Sequence, residues 1–420
     1  MENSPIWMDS STTQYCKKIE QLFGGPAGLF RETGSSGHER FSVHQICKLF
    51  REEREKMLET ERISLVSSFL ASVLVGDYVG IDVGDASGMN CMQIREKKWL
   101  DKAVEYAGDN VKELLGEPVA SHLVVGRVSE YMERRYGFCD CEVAAFSGDN
   151  LNSVAGLRME KGDVAVSLGT SDTLFVRMEK LELTSEEEEA HEGHIFCNPI
   201  SPEGYVALLC FKNGSLARED IRNKYGERKW EKFDENVSKT PPGNGGASII
   251  HFPEAEIIPA VSKCTYRFLG KEKVEEFDKE KQKDERMHCR AILESQFLSM
   301  RLHASKMLGK EGVGRILVTG GASQNQIVLE TLSDVFGVKV YTSEQPQSAA
   351  LGAAYRAFHS LLCKKEEKFV PFESIFGGGK DSSLKEAANP TLKNNSIYDS
   401  MLIDYQKNER FVIEKESLKK

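Results

Sequence analysis

The chain lacks any tract suited to crossing a membrane. Its longest apolar run, Ile63 to Gly76, is too short for a bilayer and carries Ser64, Ser67, Ser68 and Ser72, so a buried helix is expected there. The leading residues, MENSPIWMDSST, have neither a basic start nor an apolar core, which argues against a signal peptide and for a cytoplasmic protein. Basic residues are outnumbered: 55 Lys and Arg against 65 Asp and Glu give a net charge of −10. With no long basic stripe to offset that charge, a general nucleic-acid surface is excluded, while a local cationic pocket for phosphates is not. The ten cysteines are scattered, and only Cys139 and Cys141 lie close. No second pair completes a zinc site, so free thiols in a reducing compartment are expected.

Several nucleotide signatures are missing too. Gly377-Gly378-Gly379-Lys380 lacks the first glycine of a P-loop and is not followed by Ser or Thr. No G-x-G-x-x-G follows a strand, which removes the dinucleotide fold. There is no internal repeat. Asp82 and Asp85 either meet a cation or sugar hydroxyls or cap a turn; two carboxylates at this spacing without further ligands make a thin metal case, and no metal site is assigned to them.

What is present is an ordinary globular composition, 29% charged and 40% hydrophobic over 420 residues, enough for two or three domains with buried cores. The most informative stretch runs from Val143 to Val176 and holds two apolar β-like runs, each ending at a glycine turn. The first turn, Ser147-Gly148-Asp149-Asn150, sets a carboxylate at the end of a strand, where a catalytic base can sit. In the second, Val164, Val166 and Leu168 alternate before Gly169-Thr170-Ser171-Asp172, and Leu174 and Val176 resume the alternation beyond it. That pattern predicts a β-hairpin. Backbone N–H groups at its tip, with the hydroxyls of Thr170 and Ser171, suit phosphate oxygens.

A third glycine turn follows the apolar run Ile316-Leu317-Val318-Thr319, as Gly320-Gly321-Ala322. Ser323 and Gln326 have capping-box spacing, and Val328, Leu332 and Val335 recur on one face of the helix expected next. A strand, two glycines and a helix N-terminus make a suitable geometry for an anion or nucleotide. Further helices are expected near Ser11–Phe23, Met287–Met307 and Ser348–Phe358. A late amphipathic run covers Ile397–Phe411, and the acidic run 185–189 reads as a solvated loop. Arg40 ends a flexible glycine loop; it is either a contact for a polyhydroxyl or phosphate ligand or a solvated surface arginine. Trp230, set among Lys and Glu, either stacks on a base or packs against its own domain.

Phosphate-holding β-turns and a strand–Gly-Gly–helix turn in a long α/β chain suit an ATPase of the actin and sugar-kinase type. The sequence resembles the FGGY carbohydrate kinases, and within them the eukaryotic xylulose kinases. The resemblance runs from PIWMDSST through ERISLVSSF, DASGMN, SGDN, SLGTSDTLF, EGHIFCNP, ALLCFKNGS and GNGG to TGGASQN and GAAYRAFHS. It implies an α/β, actin-like (ribonuclease H-like) two-domain fold. Residues 1–140 would form the remainder of the sugar-binding domain, 141–376 the nucleotide-binding domain, and 377–420 a tail with a helix. An Asp-x-x-Thr phosphate hairpin and a Gln-His sugar segment, which open family members, have no match here, so the first domain is expected to be truncated. The resemblance further implies ATP-dependent phosphorylation of D-xylulose, with Mg²⁺. Asp149 would be the general base, and Arg40, Asp149 and Asn150 would hold the sugar. Gly169, Thr170 and Ser171 would face the ATP phosphates, Gly320, Gly321, Ala322 and Asn325 would cradle the adenosine, and Trp230 would also contact the nucleotide. Two alternatives stand beside this reading: a nucleotide-binding remnant without turnover, and a kinase for another ketose or polyol.

Overall fold

A computed structural model describes residues 4–6, 8–181, 192–278, 280–309, 312–343, 347–377 and 384–419. Trp7, the acidic run at 185–189 and residues 378–380 of the glycine cluster lie outside the described residues. The chain forms two compact units that interleave along the sequence. One takes residues 1–160, 179–206 and 347–380; the other takes 161–178, 207–346 and 381–420. Among the described residues no helix is long and apolar enough to cross a membrane.

The first unit is mostly helical. Its small antiparallel pair, Val124–Arg127 against Glu142–Ala144, packs Val128 and Val143 with Ala71 and Val79 in one apolar cluster. The run expected to be a buried helix is helical over Val66–Val75, but only its Ser68, Ala71 and Ser72 face is buried. Val66 is 79% and Phe69 56% exposed, with Leu70 and Val73 also outward. The serines explain which face turns inward. Ser68 Oγ accepts from Leu65 N at 3.1 Å, and Ser72 Oγ donates to Ser68 O and accepts from Val79 N. With their hydroxyls satisfied locally, these small side chains let the helix sit close to its neighbours; Leu74 and Val75 pack partly against the same cluster, and Val66, Phe69, Leu70 and Val73 are left outside.

Two helices of this unit cross at very short range. The helix Asp149–Gly156 and the helix Ser348–Lys365 meet at Gly156 and Gly352, where absent side chains allow backbone to touch backbone. Arg356, buried in the second of these helices, ties the crossing together: it donates to Asn152 Oδ1 at 2.8 Å and to the carbonyl oxygens of Ser121 and Ala145.

The second unit is built on a mixed sheet. Among the described residues, six of the sheet's seven strands fall mainly in this unit and lie in the order Leu384–Ala388, Val340–Ser343, Arg315–Thr319, Asp163–Leu168, Asp172–Met178 and Tyr205–Phe211. The expected hairpin is present, with Val164 opposite Val176 and Leu168 opposite Asp172. Asp163–Leu168 also pairs in parallel with Arg315–Thr319, Ser167 opposite Thr319. Val164, Val166, Ile316 and Val318 are buried, as the apolar runs require of strands covered on both faces. The parallel register carries the hairpin tip and the Gly320-Gly321 turn to the same edge of the sheet, the position where open α/β sheets receive ligands. Three helices, Lys281–Leu308, Gln326–Phe336 and Leu392–Ser417, pack together in this unit.

Candidate active site

At that sheet edge lies a cavity of about 720 Å³ within the second unit. Six of the residues expected to meet a nucleotide line it: Gly169, Thr170, Trp230, Gly321, Ala322 and Asn325. Gly320 sits directly beneath. Its φ of +89° and the 2.4 Å that would separate a Cβ from the Leu168 carbonyl oxygen leave room for no side chain, so the two turns can touch.

The hairpin tip is held from below. Asp172 accepts the Gly169 N–H at 3.1 Å and receives Arg218 in a two-pronged ion pair at 2.7 and 3.1 Å, with both side chains buried. Gln296 then braces Arg218 at 2.9 Å. The Ser171 hydroxyl points inward too, donating to the Lys212 carbonyl oxygen at 3.1 Å. Of the tip groups read as phosphate contacts, the Gly169 N–H and the Ser171 hydroxyl are therefore engaged with the protein, and exposed Thr170 is left facing the cavity.

The helix opposite begins differently from the expectation. A 3-10 turn, Gly321–Gln324, intervenes, so the α-helix starts at Gln326 and Asn325, not Ser323, is its cap. Asn325 Oδ1 accepts from the N–H groups of Ile327 and Val328, at 3.0 and 3.3 Å. Gln326 reaches sideways to Glu330 and the Ala387 carbonyl oxygen instead of back to the cap. Asn325 Nδ2 donates to both carboxylate oxygens of Asp234, at 3.0 and 2.9 Å. Burial raises the Asp234 carboxyl above the ordinary range, and the Asn325 hydrogen bond works against that rise. Trp230 opens the helix Trp230–Ser238 and is 37% exposed. Its ring meets Phe233 edge-on, and the Arg222 guanidinium lies 4.5 Å from its centroid, which fixes the indole at the cavity wall.

In the first unit, exposed Asp149 and Asn150 begin the Asp149–Gly156 helix, with Gly148 as its extended cap residue. The Asn150 N–H donates to Asp149 Oδ1 at 2.7 Å. The preceding turn is tied to the Asp82–Asp85 segment: Ser147 Oγ donates to Asp82, and the Gly148 N–H donates to Asp85 Oδ1 at 2.9 Å. Arg40 lines a separate cavity of about 510 Å³ in the same unit, beside Gln45, Arg62, Val66 and Phe69. Asp149 and Asn150 are not among the residues that line it.

Reading the sequence alone missed Arg218 and Asp234 as parts of the nucleotide-side cavity, Asp172 as the buried support of its hairpin tip, and Asp82 and Asp85 as supports of the Asp149 turn. Asp172 had a signal, since it closes the hairpin tip. Arg218 lies inside a charged helix where nothing in the sequence separates it from solvated neighbours.

Comparison with known proteins identifies the family. The N-terminal domain model of the FGGY family of carbohydrate kinases matches residues 1–156, and the C-terminal domain model of the same family matches residues 164–361. The chain is 43% identical to a xylulose kinase of Rattus norvegicus over 99% of its own length and 75% of the rat protein. It is 42% identical to xylulose kinase 2 of Arabidopsis thaliana over 90% of the chain and 68% of the plant protein. Among solved structures, a ligand-bound xylulose kinase from Lactobacillus acidophilus superposes with a TM-score of 0.79 at 16% identity, covering 100% of this chain and 81% of the other. A Plasmodium falciparum glycerol kinase with ADP gives 0.75 at 15% identity, covering 97% and 78%.

Proposed function

The chain belongs to the FGGY family of carbohydrate kinases, and from that membership we propose that it transfers the γ-phosphoryl group of ATP to D-xylulose. The observation that carries the nucleotide half is the 720 Å³ cavity between the hairpin tip and the Gly320–Asn325 turn. The sugar half rests on the identity to xylulose kinases across nearly the whole chain.

On this reading Asp149 accepts the proton of the attacking sugar hydroxyl, and Asn150 and Arg40 hold the sugar. Thr170 and the neighbouring tip N–H groups meet the phosphates. Gly321, Ala322 and Asn325 bound the adenosine, with the Trp230 indole beside it. Phosphoryl transfer asks little covalent chemistry of a protein, so positioning and charge stabilisation supply most of the rate. Among the described residues no group of three or more His, Cys, Asp or Glu side chains is arranged to hold a metal ion. Mg²⁺ belongs to this proposal as a companion of the nucleotide phosphates, its ordinary mode of binding to such sites.

The test is ADP release by the purified 420-residue chain with ATP, Mg²⁺ and D-xylulose, with glycerol and D-ribulose as parallel acceptors. Xylulose-dependent release is expected. Faster release with glycerol or D-ribulose would reassign the acceptor. Nucleotide binding without release for any acceptor would make the chain a binding protein of this fold.

A further inference from the structure

The residues of the turn that carries Asp149 themselves bury nothing: Gly148, Asp149 and Asn150 are all exposed, at the open end of a helix that is packed only further along. Beside the helix's own bond from the Asn152 N–H to the Gly148 carbonyl oxygen, at 3.1 Å, a pair of carboxylates on the short helix Val83–Ser87 and its cap residue hold the turn. Asp82, buried, accepts the Ser147 hydroxyl. Asp85 accepts the Gly148 N–H with both oxygens, at 2.9 and 3.0 Å, and the Ser67 hydroxyl at 2.6 Å. The next anchor along the chain is Asn152, whose Nδ2 donates to the Ser147 carbonyl oxygen at 2.9 Å. Asp85 is thus the group bonded to the peptide N–H immediately before Asp149.

Resting on the kinase reading above, we propose that Asp85 is a positioning residue for Asp149, its carboxylate holding the Gly148 N–H so that the turn presents the base. A charge-assisted hydrogen bond of this kind is strong only while the carboxylate is ionised.

Burial, and next the nearby Asp82 carboxylate, push Asp85 up to about 6, against the Gly148, Ser67 and Arg356 contributions that favour its charge. The charged groups around it are few. Asp82 is on its own segment, and Arg356 comes from the Ser348–Lys365 helix, 3.8 Å from Asp82. Asp149 follows directly on the turn it holds. The strand His194–Cys197, packed on the same short helix, brings His194, lowered to about 3 by burial, and Cys197, pushed up to about 12 by burial. Both are neutral through the working range. Lowering the pH through about 6 therefore neutralises Asp85 and loosens the turn, while His194 and Cys197 stay as they are.

The consequence is read first without turnover, by deuterium exchange of peptides covering 145–152 between pH 5 and 8, corrected for intrinsic exchange rates. Protection of the turn should fall on the order of tenfold below pH 6 in the parent chain, and be low and flat with pH in Asp85→Asn. Equal pH profiles in the two chains would overturn the proposal. If Asp85→Asn does not fold, Ser67→Ala decides: loss of its hydrogen bond to the ionised carboxylate should move the transition to higher pH, and an unmoved transition counts against Asp85. Where the parent turns over sugar, kcat should show the same acid limb, Asp85→Asn should lower kcat on the order of tenfold with KM for ATP unchanged, and the limb should vanish in that variant. A parent chain with no turnover removes the kinase reading, while the exchange experiment still answers for Asp85.

Discussion

Gly156 and Gly352 face each other across two crossing helices with no room between them: a Cβ on Gly156 would lie 1.9 Å from the Ser348 carbonyl oxygen, and one on Gly352 would lie 1.7 Å from that of Asn152. Both obstacles are backbone, which cannot swing aside as a side chain does. Gly352→Ala must push the helices apart, and overpacking of this kind costs about 1–3 kcal/mol. The expected result is a lower urea midpoint with an unchanged slope. Because the Asp149–Gly156 helix carries Asp149 at its first position, any sugar turnover should fall further than stability alone explains.

The Asp172–Arg218 pair gives the second prediction. Removing one partner of a buried, hydrogen-bonded ion pair leaves the other charge stranded and typically costs about 3–5 kcal/mol. Arg218→Met should therefore be strongly destabilising in thermal melts. Asp172→Asn in the same chain should recover part of the loss, because the neutral amide still accepts the Gly169 N–H. Failure of the second change to recover any stability would mean that Arg218 acts through packing and not through charge.

Two adjacent glycines should behave oppositely. Gly321 has open space where a Cβ would go and lines the cavity, so Gly321→Val should fold normally and weaken nucleotide binding. Gly320 combines positive φ with a carbonyl oxygen in the way, so Gly320→Val should fail in folding before affinity can be asked. Titration of fluorescent ADP against both, with melts in parallel, separates the effects. Unchanged affinity in Gly321→Val would remove this turn from the nucleotide site.

The contrast also shows what the sequence could and could not disclose. Alternating Val164, Val166 and Leu168 around a glycine tip has one good solution, and the hairpin adopted it. The strand–Gly-Gly–helix turn was equally legible, because glycine pairs after an apolar run mark a required backbone path. The cap was misread as Ser323 because a 3-10 turn leaves no mark that separates Ser323 from Asn325. The exposed face of Val66–Val75 was misread for a related reason: Val, Phe and Leu on one side and Ser and Ala on the other give no rule for which side is buried until partners are known. Asp82 and Asp85 were left between turn capping and contact with a cation or sugar because their partners, Ser147 and Gly148, lie more than sixty residues away in the chain.

Stability should depend on pH through His44. It is buried, its Nε2 meets Asn90 Oδ1 at 3.0 Å, and Asn90 Nδ2 donates to Thr33 Oγ1 and the Ser35 carbonyl oxygen, so Asn90 Oδ1 is the acceptor and Nε2 carries the proton. Burial lowers His44 from 6.5 to about 4. Between those values the unfolded chain binds a proton that the folded one refuses, so stability falls as pH falls through that window. The loss from this residue between pH 7.5 and 5 should be about 2 kcal/mol. Urea denaturation at both pH values should show a smaller difference in His44→Gln than in the parent.

Asp149 itself is tested most sharply by two substitutions together. Asp149→Ala removes the carboxylate, while Asp149→Asn keeps its shape and an oxygen to receive the Asn150 N–H at the 2.7 Å position. A general base contributes about 10²–10⁴ in rate, and neither alanine nor a neutral amide can take a proton from a sugar hydroxyl. Both variants should therefore lose kcat by comparable factors with ATP affinity unchanged, since the nucleotide-side cavity is built from other residues. If Asp149→Asn kept most of the activity and only Asp149→Ala lost it, the side chain would be holding the sugar or the turn, and the base would have to be sought elsewhere. Turnover retained in both would remove Asp149 from the chemistry altogether.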